Sequence, residues 1–347
     1  MATAAAAAAT NGTPAPKTAP PASRLAKVQR GRLLGPTRYV IYGPEGVGKT
    51  TLAAAAPDPI FFDVEDGSSQ IEVARYPFRD GIAGHVPVKL MEVNAAIDDL
   101  VTSEHNYKTL VIDSVDRLES LIWKFMLARD SIPSARNPKA TQMESIEDYG
   151  FSKGYNTAVE EWRAFCARLD RLRYARNMEI VLVGHAQVKT FKNPSGDDYD
   201  RYQLRINEKA GGFLKEWAEV TAFACFEEGT AKETKHSRPK GFSTGRRLLK
   251  LSRSAAVDAK SRLALPEEVE IDISNPWRPF AEAVAAARAV DVGALEGLIK
   301  AELERIGDDE ITAKATAAVK EAMAANDGAR MQRFLGTLQS RPAKEVA

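Results

Sequence analysis

The sequence predicts an α/β domain: a mostly parallel central sheet flanked by helices, with a small C-terminal helical segment after it. Two observations lead there. Short β-rich runs recur along the chain as continuous apolar stretches, the pattern of strands buried on both faces, and helical patterns separate several of them. Beyond about Asn275 the composition shifts to Ala, Glu, Arg and Lys at helical spacing.

Taken in order, the start "MATAAAAAATNGTPAPKTAPPAS" is rich in Ala, Pro and Thr and reads as a disordered tail over 1–25. The core is expected over 26–275 and the helical region over 276–347. "RYVIYG" (38–43) is a buried strand, and Lys49 to Ala56 the helix after it, stopped near Pro57. "PIFFDVED" (59–66), "HVPVKL" (85–90), "TLVIDS" (109–114), "EIVLVGHA" (179–186), "EVTAFACFE" (219–227) and "RRLLKLS" (246–252) are further strands. Helices are expected over Val93 to Glu104, Val115 to Asp130 and Thr157 to Arg176, and three more after Asn275.

Composition narrows the function classes. With 48 basic and 47 acidic residues the formal charge is +1, so any polyanion site is a local groove and not a bulk charge. No run of 18 apolar residues exists to span a bilayer, and a membrane role is unsupported. Cys166 and Cys225 lack C-x-x-C spacing and read as core thiols. The start has neither the charged n-region nor the Leu/Val-rich stretch of a secretory signal, so the expected location is the cytoplasm. Charge is uneven nonetheless: Lys232, Lys235, Arg238, Lys240, Arg246, Arg247, Lys250 and Arg253 face only Glu233 within 229–253. A solvated basic loop accounts for that run as well as a groove does.

"GPEGVGKTT" (43–51), between strand and helix, fits G-x-x-x-x-G-K-[ST]. Gly43, Pro44, Glu45, Gly46, Val47, Gly48, Lys49, Thr50 and Thr51 are the expected ATP-binding residues. The glycines let successive backbone N–H groups face the phosphates, Lys49 adds charge at the β- and γ-phosphates, and Thr50 ligates Mg²⁺. A second acid for the metal is expected at the end of a neighbouring apolar strand, and Asp113 of "TLVIDS" supplies it. Ser114 follows it, whereas many AAA+ and helicase enzymes carry Glu there as the base. The base must then come from elsewhere. Glu65 in "FFDVEDG" is the candidate, with Asp63 and Asp66 as competitors.

A P-loop, "DVED", "VIDS" and a strand ending in "GHAQ" together resemble the RecA-type recombinase core, more specifically the compact RecA-like ATPases of phages associated with single-strand annealing. The resemblance covers roughly 30–275 and implies a RecA-like P-loop NTPase fold in a bacterial host cytoplasm. It implies a γ-phosphate sensor at Gln187 or His185. The first DNA loop would lie within 128–156, with Arg136, Lys139 and Lys153. The second would lie within 188–217, where Lys189, Phe191, Lys192, Arg201, Tyr202, Arg205 and Lys209 mix cations with rings suited to phosphate contact and base stacking. Asp197, Asp198 and Asp200 oppose that reading, and a plain β-hairpin accounts for the same stretch. Lys260 and Arg262 stand where the family reaches a neighbouring subunit's ATP. The implied partners are single-stranded DNA, further copies of the chain in a ring or filament, and a single-strand-binding protein.

The expected function is therefore ATP-dependent single-stranded-DNA binding that promotes annealing or strand exchange, with DNA-stimulated hydrolysis. Alternatives are an AAA+ type helicase loader or DNA motor, a small-molecule P-loop kinase, and a switch that turns ATP over too slowly to be a motor.

Overall fold

The structure is a computed structural model that describes residues 28, 35–132, 142–231, 240–289, 292–324, 328–339 and 341. Two compact units divide between 289 and 290. The first unit carries strands β1 (Arg38–Gly43), β2 (Pro59–Asp63), β3 (Ala74–Arg75), β4 (Thr109–Asp113), β5 (Glu179–Phe191), β6 (Tyr199–Leu204), β7 (Val220–Ala231), β8 (Lys240–Lys250), β9 (Lys260–Ser261) and β10 (Glu268–Glu270). Its helices are α1 (Lys49–Ala54), α2 (Leu90–Thr102), α3 (Val115–Asp130), α4 (Lys153–Arg176), α5 (Glu208–Trp217) and α6 (Arg278–Arg288).

The strand order is β10-β8-β7-β1-β5-β4-β2-β3, and the run from β7 to β3 is parallel. Strands β8 and β10 extend it in antiparallel pairs, while β6 folds back on β5 as a hairpin and β9 pairs β7. Residues alternate between two buried faces, which explains the unbroken apolar runs. Val40, Phe62, Leu110, Ile112, Ile180 and Leu182 pack under α2, α3, α4 and α5, with Trp162 and Leu169 of α4 fully buried among them. Tyr39, Ile41, Phe61, Val111, Val181 and Val183 meet Leu52 of α1, Trp277 at the N-cap of α6 and Phe280 of α6 on the other face.

"HVPVKL" is not a strand. A 3-10 turn covers Ile82–His85, and α2 begins at Leu90. Pro87 offers no N–H to a ladder, and the Glu92 carboxylate accepts the N–H groups of Val88 (2.7 Å) and Lys89 (3.2 Å), so this polar cap starts a helix where the apolar alternation suggested β. The strand beside β2 is instead the two-residue β3. The segment expected as a second DNA loop holds the end of β5, β6 and α5, and its first part is a β-hairpin.

The second unit contains α7 (Val292–Ile306), α8 (Asp309–Ala324) and α9 (Gly328–Gln339). Leu295, Ile299 and Leu303 recur every four residues and meet Ala315, Val319, Met331, Leu335 and Leu338 in a core of their own. Among the described residues no helix is long and apolar enough to cross a membrane.

Candidate functional site

Register brings the site to one edge of the sheet. Gly43 lies level with His185 of β5, Asp113 is level with Asp63 of β2, and all these strands point the same way. The edge outside the carboxyl ends of parallel strands is where such sheets bind ligands. Gly43 has to be glycine, since a Cβ there would stand 2.2 Å from the Ala224 carbonyl oxygen of β7. Gly46 (φ 74°) and Gly48 (φ 95°) turn the loop through left-handed backbone before α1 begins.

Lys49 is buried, and its Nζ donates to the carbonyls of Gly43 (3.1 Å) and Pro44 (2.9 Å). Burial lowers its pKa, while Asp113, Asp116, Glu65 and Glu45 act to raise it. A desolvated ammonium whose partners are carbonyls of its own loop, beside the open space over Gly46, fits a polyphosphate. The Thr50 hydroxyl donates to Asp113 Oδ2 at 2.6 Å, which puts the two expected metal ligands side by side. Burial pushes the Asp113 carboxyl up to about 6 against that hydrogen bond, and Glu65 and Asp63 add to the push. A partly buried oxygen pair of this kind suits Mg²⁺. Thr50 and Asp113 would hold the ion and Lys49 the phosphates.

The three carboxylates after β2 separate by geometry. Asp63 is fully buried and closes a turn, accepting from the Gly67 N–H (3.1 Å), the Ser68 N–H (3.0 Å) and the Ser68 hydroxyl. Asp66 pairs with His85 at 2.7 Å. Glu65 faces the site: Ser114 donates its hydroxyl to Glu65 Oε1, and His185 Nδ1 lies 3.8 Å from the same oxygen. The residue that stands where other enzymes carry their base thus orients the carboxylate of a neighbouring strand.

Asp116, on the first turn of α3, joins several of these groups. It meets His185 Nδ1 at 2.7 Å and accepts from Arg205 at 2.9 Å, and Arg205 also reaches Glu45 of the phosphate loop at 3.2 Å. Burial opposes the charge on Asp116, but the hydrogen bond and charge of His185 outweigh it and hold the carboxyl at about 2. The same bond raises the pKa of His185. Gln187 takes a different place: its Nε2 donates to the carbonyls of Leu204 (3.0 Å) and Ile206 (3.3 Å), the joint between β6 and α5.

Glu119, one turn further along α3, grips the same joint by accepting the Asn207 N–H at 3.1 Å on both oxygens. Burial pushes its carboxyl up to about 7, with Asp116 and Lys189 as charged neighbours. Folding therefore favours the protonated form. This contribution to stability is complete below about pH 4.5, the ordinary value, and is lost as pH rises through about 7. The urea midpoint is expected to fall between pH 5 and 8, and Glu119→Gln to flatten that fall by on the order of 2–3 kcal/mol. An unchanged slope in the variant would refute the assignment.

The cations and rings expected at DNA are distributed unevenly. Arg201 is buried, its guanidinium lies 4.2 Å from the Phe191 ring centroid, and its Nε donates to the Ala255 carbonyl at 3.0 Å. It braces the hairpin and also lines the cavity beneath it. Arg205 is turned to the phosphate loop. Tyr202 stacks on Phe223 with ring centroids 4.9 Å apart. Lys192 pairs with Asp198 at the exposed hairpin end, Lys209 reaches Asn156 Oδ1 at 2.6 Å, and Lys189 is half-buried. Beneath the hairpin, against β1 and α5, is a cavity of about 510 Å³ lined by Lys189, Lys192, Lys215 and Arg253. Lys260 and Arg262 both donate to carbonyls at the end of α5: Lys260 to those of Lys215 (2.6 Å) and Ala218 (3.2 Å), Arg262 to that of Glu216. Arg136, Lys139, Lys232, Lys235 and Arg238 lie outside the described residues.

A family model described as an AAA domain matches residues 35–263, about two-thirds of the chain. The chain belongs to this AAA-domain family and is a P-loop, nucleotide-hydrolysing ATPase. Among curated proteins nothing matches it.

Proposed function

We propose that this ATPase binds single-stranded DNA in an ATP-dependent way and promotes annealing or strand exchange as a homo-oligomer, ring or filament, alongside a single-strand-binding protein. One observation carries the reading. His185, at the sheet edge beside Gly43, shares strand β5 with Lys189 and Phe191 of the hairpin, and Arg205 at the hairpin's foot returns to Glu45 of the phosphate loop. A change of charge over the loop therefore acts on both legs of a basic, aromatic hairpin.

A Mg²⁺ ion held by Thr50 and Asp113 would supply Lewis-acid withdrawal of charge from phosphate oxygens. The chain's residues do the rest. Lys49 holds phosphate charge, and Thr50 and Asp113 fix the ion. Glu65, held at Oε1 by the Ser114 hydroxyl, has Oε2 left to orient water and take its proton. His185 and Asp116 lie within reach of that carboxylate and transmit its state along β5. A role in trans for Lys260 and Arg262 requires both to leave the carbonyls of α5.

The test is steady-state ATP hydrolysis with and without long single-stranded DNA, with Lys49→Ala as the blank, in which nucleotide binding is expected to fall by about 10- to 100-fold. Stimulation by single strands beyond that by duplex supports the reading; robust basal turnover without it moves the assignment to a loader or motor. If Lys189, Lys192 and Lys209 each meet one phosphate, the logarithmic salt slope of DNA binding is about −2, and replacing all three by alanine flattens it. A slope unchanged by the triple variant would remove the hairpin from the DNA site.

A further inference from the structure

Arg247 of β8 stands beside the phosphate loop, and among the described residues it meets no carboxylate. A Cβ built on Gly48 would lie 3.3 Å from one of its terminal guanidinium nitrogens. Its Nε is buried and makes no hydrogen bond, and among the described residues its side chain forms no ion pair. Its neighbour behaves in the opposite way: Arg246 pairs with Glu227 at 3.2 Å and with Glu270 at 2.6 Å. Successive residues of a strand point to opposite faces, so Arg246 takes the acids of the sheet surface and Arg247 is sent toward the loop. Two features aim it. The β7–β8 ladder slips between Phe226 and Glu228, where Gly245 adopts φ 78°, and the Phe226 ring lies under the guanidinium with its centroid 5.6 Å away. A buried, unpaired guanidinium N–H is costly, and one held in place beside a phosphate loop implies an anion.

The side of the loop is also determined. Thr50 and Asp113 mark the metal and the terminal phosphates, and Asp113 lies on β4, reached from β1 through β5. Arg247 comes from the opposite flank, through β7. We infer that Arg247 is a nucleotide-binding residue that contacts the α-phosphate, the end shared by nucleoside di- and triphosphates, through a charge-assisted hydrogen bond. This rests on nucleotide binding alone and not on the DNA reading.

The experiment is equilibrium binding of fluorescent ATP and ADP analogues, with Mg²⁺, to the full chain carrying Arg247→Gln, Arg247→Lys or, as a control, Arg246→Gln. Arg247→Gln is expected to weaken both nucleotides by the same factor, about 10- to 50-fold, with Arg247→Lys between it and wild type. Arg246→Gln is expected to leave both affinities unchanged. Three results would overturn the inference: both affinities within twofold of wild type in a folded Arg247→Gln protein, a loss confined to ATP, which would put the contact at the γ-phosphate, or a lowered melting temperature with affinities intact.

Discussion

Glu65→Gln is expected to lower ATP turnover by about 10²- to 10³-fold while nucleotide affinity stays within about threefold of wild type. The substitution preserves the shape of the side chain and still offers Oε1 to the Ser114 hydroxyl, so the positions of β2 and α3 do not change. What it removes is a basic oxygen. Neither competitor can substitute for it, because Asp63 is committed to the Gly67–Ser68 turn and Asp66 to His85. Ser114→Ala leaves the carboxylate in place but free to rotate, and is expected to cost several-fold rather than hundreds. Single-turnover hydrolysis with a pre-bound nucleotide separates the chemical step from binding. Wild-type turnover in Glu65→Gln would mean that Asp116 or His185 positions the water, and the equivalent substitutions there would then carry the loss.

Much of this site is local in the chain, and what is local can be read from sequence. The loop, its strand and its helix lie within residues 38–54, and the continuous apolar runs at 59–62, 109–112 and 180–183 required a sheet covered on both faces. The pairing of cations with acids is not local. Arg205 finds Asp116 and Glu45, 89 and 160 positions away, because the hairpin returns β6 to the sheet edge. Arg201, in the same stretch and of the same residue type, is buried against Phe191 and Ala255. No spacing rule separates these two arginines; only the register of β6 on β5 does. Lys260 and Arg262 show the same limit, since carbonyls at the end of α5 attract cations wherever β9 happens to deliver them. Arg247 was visible only as one member of a basic run. The one available signal was its adjacency to Arg246 on a strand, which sends the two side chains to opposite faces.

Asp113→Asn is expected to have the opposite effect on stability from its effect on activity. Turnover in Mg²⁺ should fall by about 10³-fold, because the only charged member of the Thr50–Asp113 pair is lost and a neutral amide oxygen is a weaker ligand for a hard, reluctantly dehydrated cation. The metal-free protein, in contrast, should become more stable. Burial raises the Asp113 carboxyl to about 6, and Glu65 and Asp63 repel its charge, so at neutral pH the native state bears an ionised group whose desolvation is only partly offset by the Thr50 hydroxyl. An asparagine oxygen accepts the same hydroxyl without the charge. The gain is about 1–3 kcal/mol, or a rise of about 3–8 °C in melting temperature for a unit of this size. Adding Mg²⁺ with nucleotide should stabilise the wild type and close the gap, while leaving Asp113→Asn nearly unmoved. Thermal melts of both proteins in chelator and in Mg²⁺-nucleotide supply the four values needed. A variant less stable than wild type in chelator would show that Asp113 is a structural strand-end acid rather than a group held at a cost for the metal.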